Sequence, residues 1–390
     1  MIKQLLIASL FLCPLFLHAE EKEDSEDAPG FLTSYLNRGI ASAMDKAETP
    51  ASEKMTYGRT VKDYVSSPQF GGYIVGKYQY TDRTTADVNN DFQVRLVRAY
   101  VSGFILRDFK YRIQVELRNT PAMRDYTLEW LRFKEFQVKV GQFKRCFSFE
   151  NPMNPWDIGF GGFSQLAMRM CAFGAEAPCG EASQNGRDPG IQFSGDILPV
   201  GQDKHRLFRY QAAIYNGNGQ NKTDNNNRKD LIGNVQVQPI KDLYIALFGW
   251  KGNYTNAAKT ATANRSRWAL GATYEHEGWS ARAEYAHHTG HNVNDWDSNL
   301  QCWKDGSSNR ADAWYATVGV PCTPWLKTYV KYDVYRNRAN WGSARSILSV
   351  CPNFQLHKNL MFQLQYNHVI DKTSTDRHYN EFWAESYVRF

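Results

Sequence analysis

Lysines and arginines on alternate positions of extended, polar stretches are the most concentrated chemistry in this chain. Alternation places Lys77, Arg95, Arg112, Lys139, Arg209 and Lys331 on one kind of face. Arg98 joins the face of Arg95 only if the strand carries a bulge between them. Were that face to enclose water, a ring of such cations would draw anions inward. Were it only a solvated face, its charges would pair with acids such as Glu116, Glu129, Glu284 and Asp333. Catalysis finds little support. No Gly-x-Ser-x-Gly occurs, and no histidine in a strand has an evident partner at fixed spacing, so no enzyme is expected. His287, His288 and His291 have ligand-like spacing but no nearby cysteine, and they read as a surface cluster. Asp224–Asn227 reads as a polar loop rather than a calcium site. Neither metal nor cofactor is expected.

Seven cysteines occur, and Cys13 lies in an apolar leader. The other six face an oxidising compartment, where pairing is the default. Cys171 and Cys179 are close enough in sequence for a local disulfide. Cys322 and Cys351 flank one predicted hairpin and form a second candidate pair, while Cys146 with Cys302 is a weaker one.

The elements that must position these residues are strands. Residues 1–19 form a secretory signal: Lys3, an apolar core from Leu5 to Leu17, and Ala19 before an acidic run. That core is too short for a spanning helix, which needs about 20 residues. Residues 20–66 read as an acidic periplasmic segment, with a short amphipathic helix at Phe31–Glu48 and a linker from Pro50 to Pro68. Residues 1–27 carry two bases and six acids, so the rest of the chain holds 44 basic and 34 acidic residues and is distinctly basic. No nucleic-acid motif accompanies that charge, which leaves small anions or lipopolysaccharide as partners. Aromatics reach 14% while mean hydropathy is only −0.56, as expected where alternate residues meet lipid.

Sixteen strand-like runs follow from Gln69, and no convincing helix. They lie at about 69–80, 91–106, 109–118, 124–133, 135–143, 187–196, 206–216, 228–239, 241–251, 265–276, 278–288, 311–320, 325–336, 343–354, 358–369 and 377–390. Connections alternate between short and long; Lys134 alone is one of the short turns, and 252–264 is one of the long loops. The chain then stops at Phe390, at the end of EFWAESYVRF. An open sheet edge cannot exist in lipid, so the last strand is expected to pair with the run Gly71–Tyr80, Phe382, Val388 and Phe390 meeting lipid. The expected fold is all-β: a 16-stranded antiparallel transmembrane β-barrel over residues 67–390, with short turns in the periplasm and long loops outside. A charged lumen in a barrel of that size leaves an aqueous channel. The longest loop, 144–186, follows the fifth run, a position from which a barrel loop often folds inward to narrow the lumen. Asn151–Trp156 should be stiff, Gly159–Phe163 flexible, and Arg169 its candidate for the constriction. A surface lid is the alternative.

RLVRAYVSGFILRDFKYRIQVEL (Arg95–Leu117), VGQFKRCFSFE (Val140–Glu150), GRDPGIQFSG (Gly186–Gly195) and the segment Tyr210–Pro239 together resemble the phosphate-selective porin O and P family, in both order and spacing. The resemblance implies a homotrimeric outer-membrane porin with arginines down the lumen and lysines at the constriction. Arg95 and Arg98 match the arginine-rich second strand. The family often has Arg-Arg-Ala-Arg there, whereas this chain has Arg95-Leu96-Val97-Arg98. One arginine of that pattern is missing, with Leu96 in its place, which argues for passive passage of small hydrophilic solutes with a mild anion preference over strict phosphate selection. The competing class is a structural or adhesive barrel with an occluded pore.

Overall fold

The computed structural model describes residues 65–307 and 309–390. The expected signal peptide, residues 1–19, and the segment from residue 20 to 64 lie outside the described residues. Eighteen strands follow in chain order: β1 (Gln69–Thr81), β2 (Asn90–Ile105), β3 (Phe109–Glu116), β4 (Ala122–Trp130), β5 (Gln137–Lys144), β6 (Arg187–Val200), β7 (His205–Tyr215), β8 (Asp230–Ile240), β9 (Leu243–Thr255), β10 (Thr262–His276), β11 (Trp279–Thr289), β12 (Trp296–Asp297), β13 (Cys302–Trp303), β14 (Arg310–Thr323), β15 (Leu326–Arg336), β16 (Ala344–His357), β17 (Leu360–Asp371) and β18 (His378–Arg389). β12 and β13 form a small hairpin within one long loop. The other sixteen close into an antiparallel barrel in chain order.

Closure is made by the last strand. β18 pairs with β1 from Tyr73 opposite Arg389 to Thr81 opposite Glu381. Gly72 and Phe390 then exchange two backbone hydrogen bonds of 3.0 Å, so the ladder runs to the final residue. Phe382, Val388 and Phe390 lie exposed on the outer face, while Glu385 and Tyr387 are buried inside. The same alternation runs round the wall: Ile113, Leu128, Val235, Leu247, Leu270, Val330 and Leu364 face outward. In lipid this band is the barrel's solvent contact, and the closed ladder leaves no strand edge unpaired. Aromatic rings cluster near both rims. Trp130, Phe133, Phe136 and Phe193 meet at the short-turn end, and Trp268 with Tyr285 and Trp314 with Tyr332 at the other.

Several boundaries differ from the expectation. β6 continues through Pro199 to Val200, and the turn falls at Gly201–Lys204. β9 and β10 extend to Thr255 and Thr262 because Asn256 closes a tight turn, its Oδ1 accepting from the amides of Thr260 and Ala261. The β4–β5 turn spans 131–136 rather than Lys134 alone. Val65 and Ser66, assigned to the tail, already pair with Ile105 and Phe104 at the end of β2.

Candidate pore constriction

Two bulges shape the lumen, and each has an arginine as its extra residue. The β1–β2 register steps from Val75 opposite Leu96 to Gly76 opposite Val94, leaving Arg95 as the inserted residue. Arg95 and Arg98 thereby both point inward, as their shared face required. The β3–β4 register steps from Gln114 opposite Asp125 to Val115 opposite Met123, which inserts Arg124. A bulge re-aims side chains that strict alternation would send to lipid.

The pore-lining candidates fall into three environments. Arg95 donates to Glu385 at 2.6 Å and to the Tyr387 hydroxyl at 2.8 Å, and its side chain keeps 16% exposure. Lys77 lies 3.8 Å from the same carboxylate and over the Trp383 ring. Arg98 is buried between Glu116 (2.7 Å) and the Tyr73 hydroxyl (2.9 Å), and Arg112 stacks on Tyr100. These four share the β1–β3 wall. Lys139 with Glu129 (3.2 Å) and Arg209 with Asp196 (2.6 Å) form separate pairs on β4–β7. Lys331 differs from the expectation: it lies beneath the long loop, donating to the Gly162 carbonyl and facing the Phe160 ring. Arg169 stands over Tyr335 on the β15 wall.

The loop 145–186 runs inside the barrel, so it is no surface lid. Leaving β5, it touches β11, where Glu284 accepts from Ser148 Oγ (3.0 Å) and the Phe149 amide (2.9 Å). Seven residues later Trp156 packs against the opposite wall, with Tyr73, Val75, Leu96, Met361 and Tyr387. Between those points the chain bars the lumen. It returns along β15–β18: Asn353 donates to the Gly159 carbonyl, Gln365 accepts from the Gly161 amide at 2.7 Å, and Asp333 accepts from the Gln165 amide at 2.8 Å. Gly159–Phe163 is a packing contact rather than a flexible tip. Gly159 has φ +86°, and a Cβ there would lie 2.6 Å from the Tyr329 ring; at Gly161 it would lie 2.9 Å from Glu385. A single π-helical turn, Leu166–Met170, is the loop's one helical element among the described residues.

Sequence reasoning missed the cations that surround this bar. Arg187 pairs with Asp125 at 2.7 Å, Arg124 donates to Gln220 at 2.9 Å, and Lys144 donates to the Met153 carbonyl. With Arg98 and Arg112 they form a group of five bases whose near acids are Glu116, Asp125 and Asp157. The signal was the Arg124-Asp125 dyad, two adjacent charges that break alternation. Gln220 and Asn221 come from the β7–β8 loop, which also folds over: Asn221 and Gln142 exchange hydrogen bonds of 2.6 and 2.9 Å.

A second set of arginines clamps the far end of the loop. Arg265 reaches Glu176 (2.9 Å), Glu181 (2.6 Å) and Asp230 (2.9 Å); Arg145 reaches Glu181 and Asp188; Arg267 pairs with Glu176. All three guanidiniums pack on Trp250. Burial by itself would weaken the Arg145 charge, but Glu181 and Asp188 raise its pKa above the ordinary value.

The cysteine expectation is corrected. Cys171, Cys179 and Cys351 are free thiols, as are Cys146 and Cys302. Cys171 Sγ faces the Phe147 carbonyl, while Cys179 Sγ faces His288 and Asn264, so the two thiols point to different partners. Cys322 lies beside Thr328 and Cys351 opposite Tyr329, and those neighbours point to opposite faces of β15. Burial pushes the Cys146 and Cys179 thiols up to about 12. The three histidines diverge as well: His287 lies against Trp268, His288 takes a hydrogen bond from Arg267, and His291 stacks on Trp303. No group of three or more His, Cys, Asp or Glu among the described residues could hold a metal.

No protein-family model matches the chain, and no curated protein matches it in sequence. Solved structures do match in shape. The anion-selective porin from Comamonas acidovorans superposes with a TM-score of 0.63 at 13% identity, covering 83% of this chain and 99% of that one. The outer membrane channel DcaP of Acinetobacter baumannii gives 0.61 at 10% identity, covering 86% and 100%. A loop-deleted OmpT, an outer membrane protein of Vibrio cholerae, gives 0.57 at 12%, covering 83% and 99%. At such identities the likeness concerns the fold: this chain is a closed, antiparallel, sixteen-stranded barrel of the outer-membrane porin type.

Proposed function

We propose that the protein is an outer-membrane diffusion porin whose constriction favours small anions. The observation that carries this reading is the pair of bulges that turn Arg95 and Arg124 into the lumen, beside Arg98, Arg112 and Arg187. Cations fixed around a narrow, water-filled passage lower the barrier for anions and raise it for cations. Solutes pass down their gradients, and no step of the process calls for catalysis. Glu116, Asp125 and Glu385 neutralise part of the charge, so the preference is mild. Phosphate fits it as one small oxyanion among others, in line with the resemblance to the phosphate-selective porins. The signal peptide, the lipopolysaccharide environment and a homotrimeric assembly complete the proposal.

The test is the reversal potential across a planar bilayer in a salt gradient, with phosphate then added as competitor. Wild type should show the anion-selective sign, and Arg95→Ala should move the potential toward zero. An unchanged potential in the variant removes Arg95 from the filter. The bar across the lumen keeps a second reading in play, a structural or adhesive barrel with a blocked pore. Folded protein that gives no stepwise current would establish that alternative.

A further inference from the structure

The loop that narrows the lumen is held at its far point by one side chain. Trp156 is 3% exposed although it lies in the middle of a long connection, among residues of β1, β2, β17 and β18. Its indole meets the Tyr387 ring edge-on at a centroid distance of 5.7 Å, and the Arg389 guanidinium lies 4.6 Å over it. Tyr73, Val75, Leu96 and Met361 supply the apolar floor. Inward-facing wall positions of a porin are ordinarily polar, so an apolar socket there is built for a side chain and not for passing water. Pro152 and Pro155 stiffen the approach, and the Asn154 carbonyl oxygen Oδ1 accepts from the Trp156 amide at 3.1 Å.

The stretch that Trp156 pins also carries one edge of the constriction. Lys144 donates to the Met153 carbonyl, and Asp157, the next residue after Trp156, is among the near charges of Lys144. Arg282 of β11 holds the other side through the Met153 sulfur and the Ile158 carbonyl. The segment 153–158 is therefore a strut stretched between two walls, and its position fixes how far the bar stands from the basic group on β2–β6.

We propose that Trp156 is the peg that seats this strut on the β18–β1 wall and thereby sets the size limit of the channel. The inference rests on the porin reading. The peg acts by positioning: it governs how large a solute passes, while Arg95, which donates to the hydroxyl of the same Tyr387 that Trp156 meets, governs which sign passes.

Trp156→Ala empties the socket and frees the strut. Unitary conductance should rise about twofold, since the current through a narrow aqueous pore follows its open cross-section. Swelling of proteoliposomes should extend to larger neutral oligosaccharides. Trp156→Phe, which keeps a ring in the socket, should stay close to wild type in both measurements. Heat-modifiable migration on a gel identifies folded barrels and restricts the comparison to them. Equal conductance and equal size limits in folded wild type and Trp156→Ala would overturn the peg. Because reversal potential is read on the same membranes, the two proposals fail separately. A wild-type potential near zero with a widened Trp156→Ala pore removes the anion preference and keeps the peg. Silence in both proteins removes both.

Discussion

The β1–β6 wall and the β8–β11 wall both carry buried arginines, yet the two sides are built on different ratios. Around Trp250, Arg145, Arg265 and Arg267 face four carboxylates, those of Glu176, Glu181, Asp188 and Asp230. Every acid there has an arginine partner, and the loop seals the group. On the other side, Arg98, Arg112, Arg124, Lys144 and Arg187 face three, from Glu116, Asp125 and Asp157. Matched, fully desolvated ions hold parts together, because removing either partner strands the other in a low dielectric. An unmatched cation group at a water passage leaves a field that a solute can feel. Identical side chains thus fasten on one wall and, on the proposed anion reading, filter on the other, and the surrounding acids decide which.

Arg265 is where this contrast breaks most visibly. Arg265→Ala leaves Glu176, Glu181 and Asp230 buried without their shared partner, at a cost of about 3–5 kcal/mol. The expected result is a clear drop in the denaturant midpoint in detergent, with faster proteolysis within 145–186 and little change in ion preference. Arg95→Ala should show the reverse, a shifted reversal potential and a smaller drop in the midpoint, because Lys77 still stands 3.8 Å from Glu385. A midpoint unmoved by Arg265→Ala would mean that the ion network does not fasten the loop.

Much of the barrel is legible from alternation alone, since a period of two fixes both faces once one is apolar. The pairing of EFWAESYVRF with the first strand followed from the same logic and from the ban on open edges in lipid. The constriction was harder. Arg98 was placed inward by reasoning about a bulge, but Arg124 lay on a strand whose bulge nothing local announced beyond a charged dyad. On the solvated-face alternative Glu284 and Asp333 would pair with lumen bases; in the structure both accept loop amides. Which wall a loop crosses to depends on closure, and closure brings β5, β11 and β18 together across more than a hundred residues of chain. The glycines at 159–162 read as flexible because composition does not show what they lie against; Tyr329, Glu385 and Trp383 supply that contact.

Thiol chemistry tests the sealed side more gently. Cys302 is the exposed cysteine, on the β12–β13 hairpin, whereas Cys146, Cys171, Cys179 and Cys351 are buried. With the Cys179 thiol pushed up to about 12 by burial, no reactive thiolate forms there near neutral pH. Folded protein should therefore take maleimide first at Cys302, and protein denatured without reductant should expose Cys146, Cys171, Cys179 and Cys351 as reactive thiols as well. A shortfall among these after denaturation would reveal a disulfide and reopen the Cys171–Cys179 or Cys322–Cys351 pairing.

The smallest effect belongs to the rim, where the loops after β1 and β17 meet. Asp376 accepts from the Thr84 hydroxyl at 2.7 Å and from the Thr85 amide at 2.7 Å. The Thr84 bond, then the Thr85 amide, hold its carboxyl below the usual aspartate value. A carboxylate depressed in the folded state stabilises this contact above its unfolded pKa, and the contribution disappears as pH falls through the folded value. Protection of the Thr85 amide from hydrogen exchange should thus be full near neutrality and decline below about pH 4. Asp376→Ala should remove that dependence while leaving amides within β1 and β18 protected, because their ladder bonds involve no titrating group. Protection of Thr85 that is equally strong in Asp376→Ala would show that the rim contact is held by the backbone and not by this charge.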